Sequence, residues 1–362
     1  MNDNRQIKVY TEKGHGEEKE WLRHLVHPIR AHWGDGTLEW KKWEKDFNFY
    51  KILFLLTDSI AESDVVFLPM TFNYYAKKNK LGLLKDLVKR AKDCNKTTFI
   101  WVDGDHQPKN DISGCVFLKY SSFKSRLRKN EIILPGDLKQ DLLVKYCNGK
   151  PKLLKKDKSP RVGFVGYGDI GIIKLMYQVL RNSLIKISTP IFDSAFENEP
   201  MLPFVIKRKK ILNKISSFHG IKTDFIRRTT YAAGIKNNNE QNRLEFITNI
   251  VENDYTVCMR GGGNYSIRLY ETLCLCRVPI FINTDCKLPF EEQINWKEIC
   301  VWIEEKDLIK INDKIIDHHN SLTEKQFIER QHFCREIWEK YLSKEGFYSQ
   351  FHSYLEQNYL NC

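Results

Sequence analysis

The chain reads as an α/β protein of two successive Rossmann-like units, and three observations carry that expectation. Short apolar segments alternate with helical patterns in the first half, and the same alternation restarts after a basic stretch containing Pro and Gly. The length, 362 residues, also exceeds what one hydrophobic core usually organises. Strands alternating with helices imply parallel sheets covered on both faces.

In the first half, Ile7–Tyr10 is a short apolar strand followed by a Gly-containing turn over 13–16. Apolar segments over 50–56 and 64–69 and a helical pattern over 81–91 continue the alternation. The β-branched, aromatic run TTFIWV at Thr97–Val102 then stops at Asp103-Gly104-Asp105-His106. Residues 148–161 read NGKPKLLKKDKSPR, with two prolines, a glycine and six basic residues, and form the best linker. Beyond it, 162–165 is strand-like and 172–180 is helical. Strands over 256–259, 278–282 and 300–303, a helix over 266–276 and a polar loop tip over 238–242 follow. From 323 the pattern is helical and rich in Trp, Phe and Tyr. The expected division is 1–150, 151–322 and a helical tail over 323–362.

Composition narrows the function classes. Apolar residues make up 42%, too many for a disordered chain, and neither a Gly period nor a sustained heptad is present. The charge is 58 Lys+Arg against 46 Asp+Glu, a net +12, which points to an anionic partner: nucleic acid, a membrane surface or phosphorylated ligands. Residues 1–20 are polar, without the apolar core of a signal sequence, and no apolar run approaches the ~20 residues of a membrane span. The ten cysteines are scattered and form no CxxC; Cys274 and Cys276 make a CxC with no nearby cluster to complete a zinc site. Small buried hydrophobes in a reducing, cytoplasmic setting are expected, with no metal site.

Two glycine-rich turns could carry chemistry. Gly166-Tyr167-Gly168-Asp169-Ile170-Gly171 matches GxGxxG after a strand and before a helix, which suits a dinucleotide. The acidic residue expected ~20 positions on is poorly supplied, since Pro190 interrupts the segment leading to Asp193. The safer reading is a turn that lets a ligand approach the backbone closely. The second turn is sharper. A strand ends at Arg260, Gly261, Gly262 and Gly263 strip the turn of side chains, and a helix starts near Ser266. Exposed N–H groups and the helix dipole there make an anion site, and a guanidinium suits a diphosphate. Glu271 sits in a mostly apolar helix and calls for a partner: Arg268 at i−3, which spacing favours, or a pair of ribose hydroxyls.

The pattern R-G-G-G-x-x-S-x-R-L-x-E-x-L-x-x-x-x-V-P-I-x-I, followed by L-P-F-E and I-x-W, resembles the C-terminal signature of exostosin-like glycosyltransferases, glycosyltransferase family 47. ESDVVFLP at 62–69 and GFVG at 163–166 resemble two further strands of that family. The resemblance implies a GT-B fold, two Rossmann-like domains facing across a cleft, with a C-terminal helix crossing back to the first. It also implies an inverting enzyme that uses a nucleotide-sugar donor, usually UDP-linked, with no essential metal or other cofactor. Arg260 and the triple-glycine turn would hold phosphates, with Ser266 at the helix start, and Glu271 would accept hydrogen bonds from the ribose. The chain departs from the family at Cys276-Arg277, where small residues are usual, so different packing near the nucleoside is expected.

Arg227-Arg228 is a further diphosphate candidate, because two basic groups would offset charge on a leaving nucleotide. For the base that deprotonates an acceptor hydroxyl, Asp103, Asp105 and His106 follow a strand end and His15 lies in the first βα turn. The expected partners are a nucleotide-sugar and a glycan or lipid-linked glycan acceptor, and an anionic membrane face would use the remaining positive charge. Two alternatives stay open: an NAD-dependent oxidoreductase using Gly166, Gly168 and Gly171, and a basic nucleic-acid-binding protein. The second lacks an RNP pattern, zinc-finger spacing or helix-turn-helix, so no nucleic acid is expected.

Overall fold

The computed structural model describes residues 5–16, 49–104, 108–109, 112–136, 140–171, 175–180, 183–184, 204–229 and 240–360. The first half folds into a six-stranded parallel sheet: β1 Ile7–Tyr10, β2 Phe54–Leu56, β3 Val65–Phe67, β4 Thr97–Val102, β5 Cys115–Lys119 and β6 Glu131–Ile133. Their order is β2-β1-β3-β4-β5-β6. The second sheet holds β7 Arg161–Tyr167, β8 Lys222–Arg228, β9 Tyr255–Cys258, β10 Val278–Asn283 and β11 Val301–Glu304, in the order β11-β10-β9-β7-β8. It too is parallel throughout.

The central strands are continuous apolar runs because helices cover both faces. Val65, Val66 and Phe67, Phe99 through Val102, and Tyr255 through Cys258 are all buried. The edge strand β8 reads KTDFIRR and stays half-exposed, which is why no apolar run announces it. The helices that matter below are α1 Phe72–Lys77, α2 Leu81–Asp93, α3 Val205–Ser216, α4 Glu240–Glu252, α5 Ile267–Cys274, α6 Ile311–Ser321, α7 Glu324–Ile337 and α8 Lys344–Leu355. In α2, Leu84, Leu87, Val88 and Ala91 recur at helical spacing and make its buried face. The expected polar loop over 238–242 is corrected in part, since Glu240, Gln241 and Asn242 open α4. Its periodicity was hidden by three polar residues in the first turn.

The last helices bind the two halves together. Phe327, Cys334 and Ile337 of α7 enter the second core, whereas Phe347, Tyr348, Phe351 and Leu355 of α8 enter the first. Phe351 lies edge-on to Phe99 at 6.0 Å and stacks on Phe67 at 6.2 Å. Two Rossmann-like parallel sheets with a tail that returns to the first make a GT-B architecture. The loop following β5 meets the loops following β9 and β10: Phe123 bridges to Cys286, and Lys124 N–H donates to Asp285 O at 2.8 Å. Carboxyl-end loops of both sheets therefore face one another, where open α/β sheets bind ligands.

Cys115, Cys258, Cys274, Cys276, Cys286, Cys300 and Cys334 are buried and form no disulfide among the described residues. Burial pushes the thiols of Cys258, Cys274, Cys286 and Cys334 up to about 12, so they pack as inert hydrophobes. Among the described residues, no helix is long and apolar enough to cross a membrane.

Candidate functional site

A cavity of about 250 Å³ opens at the carboxyl ends of the second sheet. Its floor is the end of β7, at Val165, Gly166 and Tyr167, and one wall is the triple-glycine turn with the start of α5. The other wall comes from β8 and α4 through Arg228, Asn242, Arg243 and Phe246.

The turn follows β9, which ends at Cys258, two residues before Arg260. Ser266 N-caps α5 in extended conformation, yet its side chain makes no cap hydrogen bond, so the hydroxyl is not spent on the helix's own N–H groups. A side-chain-free turn and a helix start, both facing one cavity, suit an anion.

Among the described residues, four guanidiniums line the cavity, each oriented by a neighbour. Arg208, from α3, donates to Tyr167 O at 2.7 Å and to Arg260 O. Arg268 donates to Val165 O at 2.6 Å, with its guanidinium 4.4 Å from the Phe164 ring centre. That path crosses Gly166, whose φ is +147° and where a Cβ would lie 2.8 Å from Arg268 Nη2. Arg228 donates to Glu245 at 2.5 Å. Arg243 donates to Glu271 Oε1 at 2.7 Å. Glu271 is 5% exposed and lines the cavity. Among the described residues the lining carries four guanidiniums and one carboxylate, with Glu245 bonding Arg228 from outside the lining.

Several expected residues stand elsewhere than sequence reasoning placed them. Arg260 is buried between the rings of Phe123 and Phe204, at 5.3 and 5.5 Å, and donates to Gly262 O at 2.7 Å. It braces the turn from the side of the first domain and does not line this cavity. Arg227 points away, because successive residues of a strand face opposite sides: it bonds Asn213 and Ser216 of α3. Gly168 packs near Leu212 and Phe164, and its N–H donates to Arg228 O at 3.1 Å. The ion-pair partner of Glu271 is Arg243 of α4, not Arg268. Arg277 does not touch the cavity at all. It is fully buried, donating to Cys276 O, Gln331 Oε1, Lys152 O and Val251 O, and burial pulls it down to about 10. The departure at 277 therefore alters the support behind α5 and not the cavity lining.

In the first domain, α1 reaches two of the base candidates. Tyr75 pairs its hydroxyl with His15 Nδ1 at 2.9 Å, and burial holds that buried imidazole below its usual pKa. Asn73 clamps the backbone of Asp103 in both directions, at 2.7 and 3.1 Å, leaving Asp103 exposed at the end of β4. Asp105 and His106 lie outside the described residues. Among the described residues, no group of three or more His, Cys, Asp or Glu could hold a metal ion.

Residues 208–318 match the Exostosin GT47 domain. Over 106 residues the chain is 27% identical to Exostosin-1 of Drosophila melanogaster, covering 29% of this chain and 13% of that protein. Over 74 residues it is 38% identical to "Probable glucuronosyltransferase 47 A" of Physcomitrium patens, covering 20% and 16%. The chain thus spans less than a fifth of the length of either of these curated relatives. Among solved structures it is similar to S. aureus TarM bound to fondaparinux, α-GlcNAc-glycerol and UDP, at 11% identity and a TM-score of 0.38, covering 82% of this chain and 55% of that one.

Proposed function

We propose, from the match of residues 208–318 to the Exostosin GT47 domain, that the chain is an inverting, metal-independent glycosyltransferase that moves a sugar from a UDP-linked donor to a glycan. The observation that carries this reading is the cavity itself. The triple-glycine turn, the uncommitted Ser266 hydroxyl and four guanidiniums surround one buried carboxylate, Glu271. The diphosphate lies against the turn and the start of α5, and the ribose hydroxyls donate to Glu271.

The acceptor hydroxyl gives its proton to a base of the first domain, drawn from His15, Asp103, Asp105 and His106. Its oxygen attacks the anomeric carbon from the face opposite the nucleotide, the bond from that carbon to the phosphate oxygen breaks, and the electron pair leaves with UDP. Arg228 and the helix start offset that charge. No cofactor takes part. Buried thiols outside any disulfide suit a reducing, cytoplasmic setting, and the surplus basic surface suits an anionic or lipid-linked acceptor at a membrane face.

The transferred sugar in this reading is a uronic acid. One of the matched relatives is named for glucuronosyl transfer, which supports an acidic sugar. The test is UDP release from UDP-glucuronic acid, UDP-glucose and UDP-N-acetylglucosamine with a mixed glycan acceptor pool. Release favouring the acidic donor supports the reading. Equal release from all three removes the uronic acid, and no release from any removes the transferase.

A further inference from the structure

The triple-glycine turn is not held by the second domain alone. Three glycines in a row have no side chains to fix their own geometry, so the shape of the turn is imposed by what grips it. Gly261 N–H donates to Tyr265 O at 3.4 Å within the turn, and among the described residues two neighbours in the second domain grip it from anchors in the first. Asn264 is 1% exposed. Its backbone N–H donates to Ser121 Oγ at 2.7 Å. Its side-chain amide donates to Ser122 O at 3.1 Å, Thr284 O at 3.0 Å and Asp285 O at 3.1 Å. Its Oδ1 accepts from Thr284 Oγ1 at 2.6 Å, and its carbonyl accepts from Cys286 Sγ at 2.9 Å. The second grip is Arg260, which bonds Gly262 O while its guanidinium rests on Phe123, the residue after Ser122.

We infer that Asn264 is a positioning residue that makes the anion-binding turn a shared property of both domains. When the first-domain loop over 121–126 is seated, Ser121 and Ser122 fix Asn264, and Asn264 fixes the turn beside it. When that loop lifts, the turn loses its grip and its shape. Coupling of this kind is reciprocal, so a ligand on the turn must also tighten the loop over 121–126. The inference rests on the reading above, that a nucleotide diphosphate binds at the turn.

The experiment uses the full chain, with UDP affinity by calorimetry and amide hydrogen exchange with and without UDP. Asn264→Ala and Ser121→Ala are compared with the unaltered protein. Ser121 lies in the first domain and does not line the cavity, so Ser121→Ala tests the coupling even if Asn264→Ala fails to fold. Both variants are expected to weaken UDP about tenfold, the equivalent of one or two buried hydrogen bonds. UDP is expected to protect 121–126 as well as 261–266 in the unaltered protein and to lose its effect on 121–126 in the variants. Ser121→Thr, which keeps the hydroxyl, restores both. A purely structural role lowers the melting temperature while leaving UDP affinity and the protection pattern unchanged, and that result overturns the inference. If the unaltered protein binds no nucleotide, the functional reading fails separately. Exchange without ligand then decides: faster exchange in both segments of a variant supports the coupling, and a change confined to the altered residue's own segment overturns it.

Discussion

Arg243 of α4 and Glu271 of α5 close a 2.7 Å ion pair at the cavity wall, with the Glu271 side chain only 7% exposed. The pair fixes the direction of the buried carboxylate, so its free lone pairs face the cavity. Arg243→Ala is expected to weaken UDP about tenfold and to shrink the preference for UDP over 2′-deoxy-UDP, with Arg243→Lys restoring part of both. Calorimetric titration of both nucleotides checks this. An unchanged UDP to deoxy-UDP ratio would remove Glu271 from ribose recognition.

Arg227 and Arg228 are adjacent in sequence but face opposite sides of β8. Arg228→Ala is therefore expected to cost roughly 1–2 kcal/mol of nucleotide binding, whereas Arg227→Ala changes it by less than about 0.5 kcal/mol. Equal effects of the two substitutions would contradict the orientation of the strand.

Arg277 satisfies four acceptors from the linker, α4, α7 and its own neighbour, and none is a carboxylate. Arg277→Met leaves those acceptors unpaired in a dry site and is expected to destabilise the fold by about 2–4 kcal/mol. Nucleotide affinity of the folded variant should not move. Urea unfolding and calorimetry together separate the two effects, and a large loss of affinity without a loss of stability would place Arg277 in the site after all.

His318 is pushed down to about 4 by burial, with Arg330 and His319 adding to the effect. Its Nε2 has no hydrogen-bond partner among the described residues. The unfolded chain takes up a proton near pH 6.5 and the folded chain does not until about 4, so stability falls as pH falls through that window. The loss from this ring alone reaches roughly 3 kcal/mol at its lower end and is absent above about pH 7. Unfolding of the protein and of His318→Gln at pH 7, 5.5 and 4.5 should show a shallower decline for the variant; parallel declines would exclude His318 as the cause.

What could be read in the sequence was local. The strand, turn and helix from Tyr255 to Cys274 are contiguous, so spacing alone placed Arg260, the glycines, Ser266 and Glu271 near one another. Arg208 and Arg243 could not be found this way. They sit on helices reading VIKRKKILNKIS and EQNRLEFITNIVE, where an arginine looks like any solvated charge. The edge strand β8 has no apolar run, so Arg227 and Arg228 could not be assigned to opposite faces. Asn264 reads as an ordinary turn residue, and its partner Ser121 lies 143 residues away. Arg277 is held by segments separated from it by 26 to 125 residues, which its sequence neighbours do not reveal.

A nucleoside diphosphate is expected to bind where Arg260 braces the turn and Glu271 lines the cavity. Isothermal titration compares UDP binding to the protein and to the Arg260→Ala, Glu271→Ala double variant. One saturable site in the protein, weakened roughly a hundredfold in the variant, is the predicted result. Absence of binding to the protein, or equal affinity in the two, would contradict it.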